Sequence, residues 1–364
     1  MKYLFILGNN PELSKAEILS VIKAKKILGQ NRVILAIEAD KFDCGEAIRR
    51  LGGTIKIGLI LGEHPEAGPV IGAANSLPAG KRFNFGFSFY SQKPSNIGME
   101  IKGLLKEQGI SARLVVSREP ALSAVIVKKE KCQDFIVTPG FFALTCAVQD
   151  FEAFGKRDFG RPASDSLSGM LPPKVARMMI NLSNINSGNV LLDPFCGSGT
   201  VLAEALDLGI TDLIGTDASG KAVEDSQTNL DWLAAELGIK KYKLKIEKLD
   251  ARDLSKNFSK IDTIVTEPYL GKPMKGNEGE GTVRKIVAEL EELYVKAFSE
   301  FHKVLKPGSR AVVVIPEWHI GDRVVKMNIF PQIIKMGFKK LDDGDLMYKR
   351  EGQKVWRNIT VWEK

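Results

Sequence analysis

The sixteen residues from Leu191 to Leu206, LLDPFCGSGTVLAEAL, constrain the fold of this chain more than any other stretch. They open as a short apolar run, uncharged until Asp193, which reads as a buried parallel strand. They turn through Pro194, Gly197 and Gly199, then continue from Thr200 to Leu206 with apolar residues at helical spacing. Strand, glycine turn and helix in that order form the ligand-binding corner of an open α/β sheet, where ligands lie beyond the carboxyl ends of the strands. Glycine lets backbone approach a ligand closely, and the free amides at the helix start suit an anionic group. A dinucleotide fingerprint is disfavoured because Leu202 stands where its third glycine belongs. A phosphate-binding P-loop is excluded because no Lys follows Gly199.

The sequence beyond this corner repeats the strand-then-acid theme. Residues 210–217 read as a second parallel strand ending in Asp217, 24 residues beyond Asp193, where an acid can accept both hydroxyls of a ribose. A helix through Leu237 follows, then a strand over about 242–249 with Asp250 and Ala251 at its end. A fourth strand, 261–266, runs into Glu267-Pro268-Tyr269-Leu270-Gly271. The glycine-rich stretch 271–282 predicts a mobile substrate loop. A long helix over 283–305, a strand over 310–316, a helix over about 323–336 and a final strand over 355–362 complete the half.

The N-terminal half reads differently. Strands at 2–8, 32–39 and 54–61, with helices after Pro11 and over 47–51, make a small α+β unit. Residues 62–80, rich in Gly, Pro and Ala, read as a linker. Residues 82–90 alternate aromatics with polar or small residues, predicting a strand whose aromatic face packs on Ile97, Ile101, Leu104 and Leu105 of the next helix. A base-stacking platform is the competing reading. Strands are expected at 112–116, 124–127, 135–138 and 141–148, and a polar connector at 151–168.

The chain's 364 residues allow two or three domains, and 44% hydrophobic with 26% charged residues is a globular balance. No apolar run approaches the roughly 20 residues of a membrane span, and the first residues read as a strand and not a secretory signal, so a cytoplasmic protein is expected. Cys44, Cys132, Cys146 and Cys196 form no C-x-x-C pair, so neither a zinc site nor a disulfide framework is expected. The three histidines are scattered, and no metal is expected. Residues 1–160 carry 22 Lys and Arg against 16 Asp and Glu, a surplus of +6 out of the net +8. Such a surplus suits contact with a polyanion.

Asp193-Pro194-Phe195-Cys196-Gly197-Ser198-Gly199-Thr200 resembles motif I of class I S-adenosylmethionine-dependent methyltransferases, in the form used by amino-methylating members. Residues 1–62 and 63–150 resemble the ferredoxin-like domain and the RNA-binding THUMP domain of RNA-modifying enzymes, Arg49-Arg50-Leu51-Gly52-Gly53-Thr54 looking like the strand entry of the former. Leu171-Pro172-Pro173-Lys174-Val175-Ala176-Arg177 resembles the helix leading into the catalytic domain of THUMP-containing tRNA guanosine-N2 methyltransferases. That family shows Thr-Asp-Pro-Pro-Tyr-Gly after its fourth strand. Thr266-Glu267-Pro268-Tyr269-Leu270-Gly271 matches if Glu267 stands for the Asp; a second register puts Thr266 at the acid's place. The first is preferred because it keeps a carboxylate and the final Gly.

The resemblance implies a doubly wound α/β methyltransferase domain over 171–364, preceded by a linker at 151–170 and the two smaller α+β domains. It implies S-adenosylmethionine as cofactor, held by Asp193, Pro194, Cys196, Gly197, Ser198, Gly199, Thr200, Asp217, Ala218, Asp250, Ala251 and, at the methionine carboxylate, Lys174. It implies Glu267, Pro268 and Tyr269 as catalytic residues, and tRNA as substrate. The target would be the N2 amine of a guanosine, position 10 being the family's usual one. Lys81, Arg82, Arg113, Lys128 and Lys129 are candidate phosphate contacts. A small activating protein subunit is compatible with this reading. The rivals are a DNA or rRNA amino methyltransferase and a catalytically silent RNA-binding protein of the same fold.

Overall fold

The computed structural model describes all residues except 79, 164–169, 273, 275–277, 321–322 and 342–345. In chain order its first elements are β1 (Lys2–Leu7), α1 (Pro11–Val21), β2 (Ala24–Gln30), β3 (Ile34–Ala39), α2 (Cys44–Arg50), β4 (Thr54–Gly62), α3 (Ala67–Asn75), β5 (Phe83–Phe89), α4 (Ile97–Glu107), β6 (Ala112–Leu114), α5 (Ala124–Lys129), β7 (Gln133–Thr138) and β8 (Phe141–Val148). There follow α6 (Phe151–Phe159), α7 (Pro173–Leu182), β9 (Val190–Asp193), α8 (Thr200–Asp207), β10 (Asp212–Asp217), α9 (Gly220–Leu237), β11 (Lys243–Lys248), β12 (Ile261–Thr266), α10 (Glu280–Val304), β13 (Leu305–Ile320), β14 (Arg323–Lys326), α11 (Phe330–Lys335), β15 (Lys339–Lys340), β16 (Met347–Tyr348) and β17 (Val355–Glu363).

These elements form two compact units, each with its own sheet. The first unit holds Met1–Pro11, Ile22–Arg49 and Thr54–Phe151. Its eight strands run in the order β2-β3-β1-β4-β8-β7-β5-β6, so residues 1–62 and 63–150 share one sheet through the antiparallel β4–β8 pair. The aromatic face of β5 is core: Phe83, Phe85, Phe87 and Phe89 are buried with Ile101 and Leu105 of α4. Leu104 instead faces solvent. A stacking platform for bases is therefore not what this stripe forms.

The other β5 face meets a buried ion pair. Lys56 Nζ donates to Asp134 at 2.6 Å, to Ser88 Oγ at 3.0 Å and to the Leu122 carbonyl at 2.7 Å. Asp134 also accepts from Ser88 at 2.6 Å and Thr145 at 2.8 Å.

Several expectations fail here, each for a local reason. The expected linker at 62–80 contains α3, an apolar helix whose Gly and Pro content masks it. The expected strand at 124–127 is α5: its β-branched residues suggest a strand, but Ser123 caps the Ile126 amide and Lys128 and Lys129 close the last turn. The strand β2, too polar for a core pattern, is an edge strand held by β3. The expected absence of disulfides is also overturned, because Cys44 and Cys146 are bonded across 102 residues of sequence. Pairing of β4 with β8 brings Cys146 near the helix that precedes β4, a neighbourhood that spacing alone does not reveal.

The second unit comprises Glu12–Val21, Arg50–Gly53 and Glu152–Lys364. Its sheet runs β11-β10-β9-β12-β13-β17-β15, with β14 paired to β13 and β16 to β17. The strands from β9 to β13 are parallel, and β17 is antiparallel to β13. Strand order reverses between β9 and β12, which opens a crevice at their carboxyl ends.

Most of α1 belongs to this unit. Buried Glu17 accepts the Gly52 and Gly53 amides at 2.7 and 2.9 Å and the Asn181 side chain at 2.7 Å. A Cβ at Gly52 would lie 2.4 Å from the Lys174 carbonyl, so this turn tolerates no side chain. The expected connector at 151–168 contains the helix α6 over its first nine residues, and its residues 164–168 lie outside the described residues. The expected helix at 323–336 is β14 followed by α11: Val324 and Val325 pair with β13, and Pro331 starts the helix later. Residues 273 and 275–277 of the expected substrate loop also lie outside the described residues, and its last three begin α10.

Candidate active site

The strand β9 delivers Asp193 to the crevice in a buried state. Its Oδ1 accepts the Phe195 amide at 3.2 Å and the Thr266 hydroxyl, from the tip of neighbouring β12, at 2.6 Å. Burial pushes its pKa up to about 7 against these two bonds, and the nearby Asp217 and Glu267 add repulsion. The chain then turns through Gly197 and Gly199. Gly199 sits at φ +83°, and a Cβ there would meet Ser226 Oγ at 2.6 Å, so both conformation and the closeness of α9 require glycine. No side chain caps α8, whose first turn is left to backbone amides.

The tip of β10 ties to this turn. Asp217 accepts the Gly197 amide at 3.1 Å and the Ser219 amide at 2.8 Å, while Ala218 between them is exposed. Cys196 is buried, and burial pushes its thiol well above the usual range, which makes it a packing residue. At the end of β11, Asp250 is held by Arg252 at 2.8 and 2.6 Å, which keeps its carboxyl below the usual range, and Ala251 is buried beside it.

Glu267 leaves β12 one residue beyond Thr266 and meets Arg357 of β17. The guanidinium donates Nε to Oε1 at 2.5 Å and Nη2 to Oε2 at 3.3 Å. Burial raises the Glu267 pKa and Arg357 opposes the rise. Pro268 is buried, whereas the Tyr269 side chain is 53% exposed with its carbonyl accepting from buried Tyr294 at 3.3 Å. Thr266 is fully buried against Asp193, and Glu267 is mostly buried against Arg357.

Lys174 stands in the first turn of α7, next to Pro173. Its ammonium stands 5.3 Å over the Phe154 ring of α6, which Arg157 and Arg177 also face. In the first unit, Lys81, Arg82, Arg113, Lys128 and Lys129 are all exposed. Arg113 pairs with Glu130 at 2.8 Å and Lys128 with Asp150 at 3.3 Å.

Sequence reasoning missed three residues around this site. Arg357 sits in a strand that also carries Trp356, Ile359, Val361 and Trp362, where a charge calls for a partner, and that signal was available. Arg161 gave no signal in a polar connector. Asn229, in α9, joins the turn to the segment after Arg161 by donating to the Ser198 and Ala163 carbonyls, both at 2.8 Å.

A parallel sheet to which β14 and β17 add antiparallel to β13, an acid at each of three consecutive strand tips and a glycine turn opening a helix give this unit the class I methyltransferase fold. Residues 160–336 match the family model described as UPF0020, RMKL-like methyltransferase domain. A tRNA (guanine(10)-N2)-dimethyltransferase of Methanothermobacter thermautotrophicus is 33% identical over 150 residues, 41% of this chain and 40% of that protein. Its counterpart in Methanocaldococcus jannaschii is 34% identical over 130 residues, 34% of this chain and 35% of that one. The chain thus spans well under half the length of these relatives. TrmN from Thermus thermophilus superposes over the full length of both chains with a TM-score of 0.52 at 19% identity, which is a likeness of fold.

Proposed function

We propose that this protein is an S-adenosylmethionine-dependent tRNA methyltransferase acting on the exocyclic N2 amine of a guanosine, at position 10. The observation that carries the reading is the placement of Glu267 and Pro268 at the tip of β12, next to the Asp193 turn. The names of the two archaeal relatives support the substrate and the position. We also propose residues 1–62 and 63–150 as ferredoxin-like and THUMP portions of an RNA-binding half, and a cytoplasmic location. Lys81, Arg82 and Lys129 are the first choices among the phosphate contacts.

The cofactor fits the residues present. The uncapped start of α8 suits its carboxylate, Asp217 its ribose hydroxyls, and the end of β11 its adenine. When bound, it supplies a methyl group already made electrophilic by a sulfonium, so the protein's main task is positioning. Arg357 occupies one lone pair on each Glu267 oxygen and leaves others to accept an N–H. One amine hydrogen would go to Glu267 and the other to the Pro268 carbonyl. These acceptors would orient the nitrogen and stabilise the positive charge it gains as the new N–C bond forms and the methyl–sulfur bond breaks, its electron pair staying on sulfur. The excess proton then leaves to Glu267 or to water. Exposed Tyr269 offers a ring for a base turned out of its stack.

The test is incubation of purified protein with methyl-labelled cofactor and, separately, tRNA, rRNA and DNA, followed by nucleoside mass analysis. Label in N2-methylated guanosine from tRNA supports the reading. Label in adenine or cytosine amines supports the rival amino methyltransferases. Cofactor binding without label in any pool supports the silent RNA-binding protein.

A further inference from the structure

Three arginines pack against α8; two of them, toward its far end, are matched by acids, and the third bonds its first residue. Arg157 donates to Glu204 at 2.5 Å, and Arg177 donates to Glu204 at 2.7 Å and pairs with Asp207. Arg161 is different. It is only 8% exposed, and among the described residues no carboxylate stands within ion-pair distance of it. Its Nη1 donates to Thr200 Oγ1 at 2.7 Å, its Nη2 reaches only the Met170 sulfur at 3.0 Å, and its buried Nε has no partner. Burial lowers its pKa, against the more distant pull of Asp158 and Glu204.

A buried charge without a counter-ion is costly, and it persists where a ligand completes it. The surroundings point to an anion of modest size. Thr200 is the first residue of α8, whose amides no side chain caps. Ser198, Thr200, Asn229, Arg157 and Arg161 line one small cleft together with Glu204, whose carboxylate is already matched by Arg157 and Arg177. The segment bearing Arg161 is fastened to the glycine turn, because Asn229 bonds the Ala163 amide at 2.9 Å as well as the Ala163 and Ser198 carbonyls.

We infer that Arg161 is the receptor for the α-carboxylate of the cofactor's amino-acid moiety, in place of Lys174. The inference rests on the cofactor reading above. A planar guanidinium can present two parallel N–H groups to a carboxylate, which a lysine cannot. An RNA phosphate would need access that a side chain buried to this degree does not offer.

The experiment compares equilibrium binding of S-adenosylhomocysteine with that of 5′-methylthioadenosine, which keeps the adenosine and thioether but lacks the carboxylate. It uses the full chain as wild type, Arg161→Ala and Arg161→Lys, each checked for folding by thermal melting. The wild type is expected to prefer S-adenosylhomocysteine. Arg161→Ala should lose at least tenfold in that ligand and less than twofold in methylthioadenosine, with Arg161→Lys between. Should Arg161→Ala not fold, Thr200→Val, which removes the hydroxyl that orients the guanidinium, should erode the same preference. Equal weakening of both ligands, or none, overturns the assignment, as does loss of tRNA binding with the ligand preference intact. Failure of the wild type to bind either ligand overturns the cofactor reading itself.

Discussion

Both sheets bury charged side chains, but they finish them differently. In the first unit Lys56 and Asp134 satisfy each other and draw in Ser88, Thr145 and the Leu122 carbonyl. In the second, Asp193 has two donors and a raised pKa, Glu267 pairs with Arg357, and Arg161, among the described residues, feels Asp158 and Glu204 only at a distance and pairs with neither. The first arrangement is complete and reads as scaffold. The second is a set of valences left open at one end of a sheet, which is how a ligand site differs from a core.

The sharpest way to break the comparison is to damage the complete network. Asp134→Ala leaves Lys56 buried and unpaired and should cost about 3–5 kcal/mol in chemical denaturation. Replacing the pair by Lys56→Met with Asp134→Leu should recover most of that loss. If the single change costs under about 1 kcal/mol, the pair is not scaffold in the sense used above.

Next is the incomplete end. Glu267→Ala should reduce methyl transfer at least about a hundredfold while cofactor affinity stays within a few-fold. Arg357→Gln sharpens the point through pH. Arg357 holds the buried Glu267 carboxyl down, so its loss should move the acid limb of the rate profile to higher pH. An unmoved limb would separate Arg357 from the working carboxylate.

A smaller effect tests the turn. Gly199→Ala should destabilise by about 2 kcal/mol and weaken cofactor binding, since φ +83° and the 2.6 Å approach to Ser226 both oppose a methyl group. Denaturation and ligand titration read the two consequences separately.

The smallest is a slope. Asp193 has a folded pKa near 7 against an ordinary value of 3.8, so the folded state holds its proton longer than the unfolded chain does. Stability should therefore fall as pH rises from about 4 to 7, and Asp193→Asn should flatten that fall. A steeper fall in the variant would contradict the burial argument.

What the sequence disclosed follows from which interactions are local. The turn from Asp193 to Thr200 and the acids after β10 and β11 were legible because strand, turn and helix signals are adjacent in the chain. The apolar stripe of β5 was legible because its period is two. The Cys44–Cys146 bond and the Glu267–Arg357 pair were not, because sheet pairing brings together residues 102 and 90 positions apart. The helix α5 was misread because a capping serine outweighed three β-branched residues. The bonds from Gly52 and Gly53 to buried Glu17 span 35 and 36 positions and are equally invisible to local patterns.

The most direct measurement is a crystal structure of the protein with S-adenosylhomocysteine. The account predicts the ligand against the Gly197 turn, its carboxylate on Arg161, its ribose on Asp217 and its sulfur toward Glu267 and Pro268. A ligand seated away from that turn, or one whose sulfur faces away from Glu267, would contradict it.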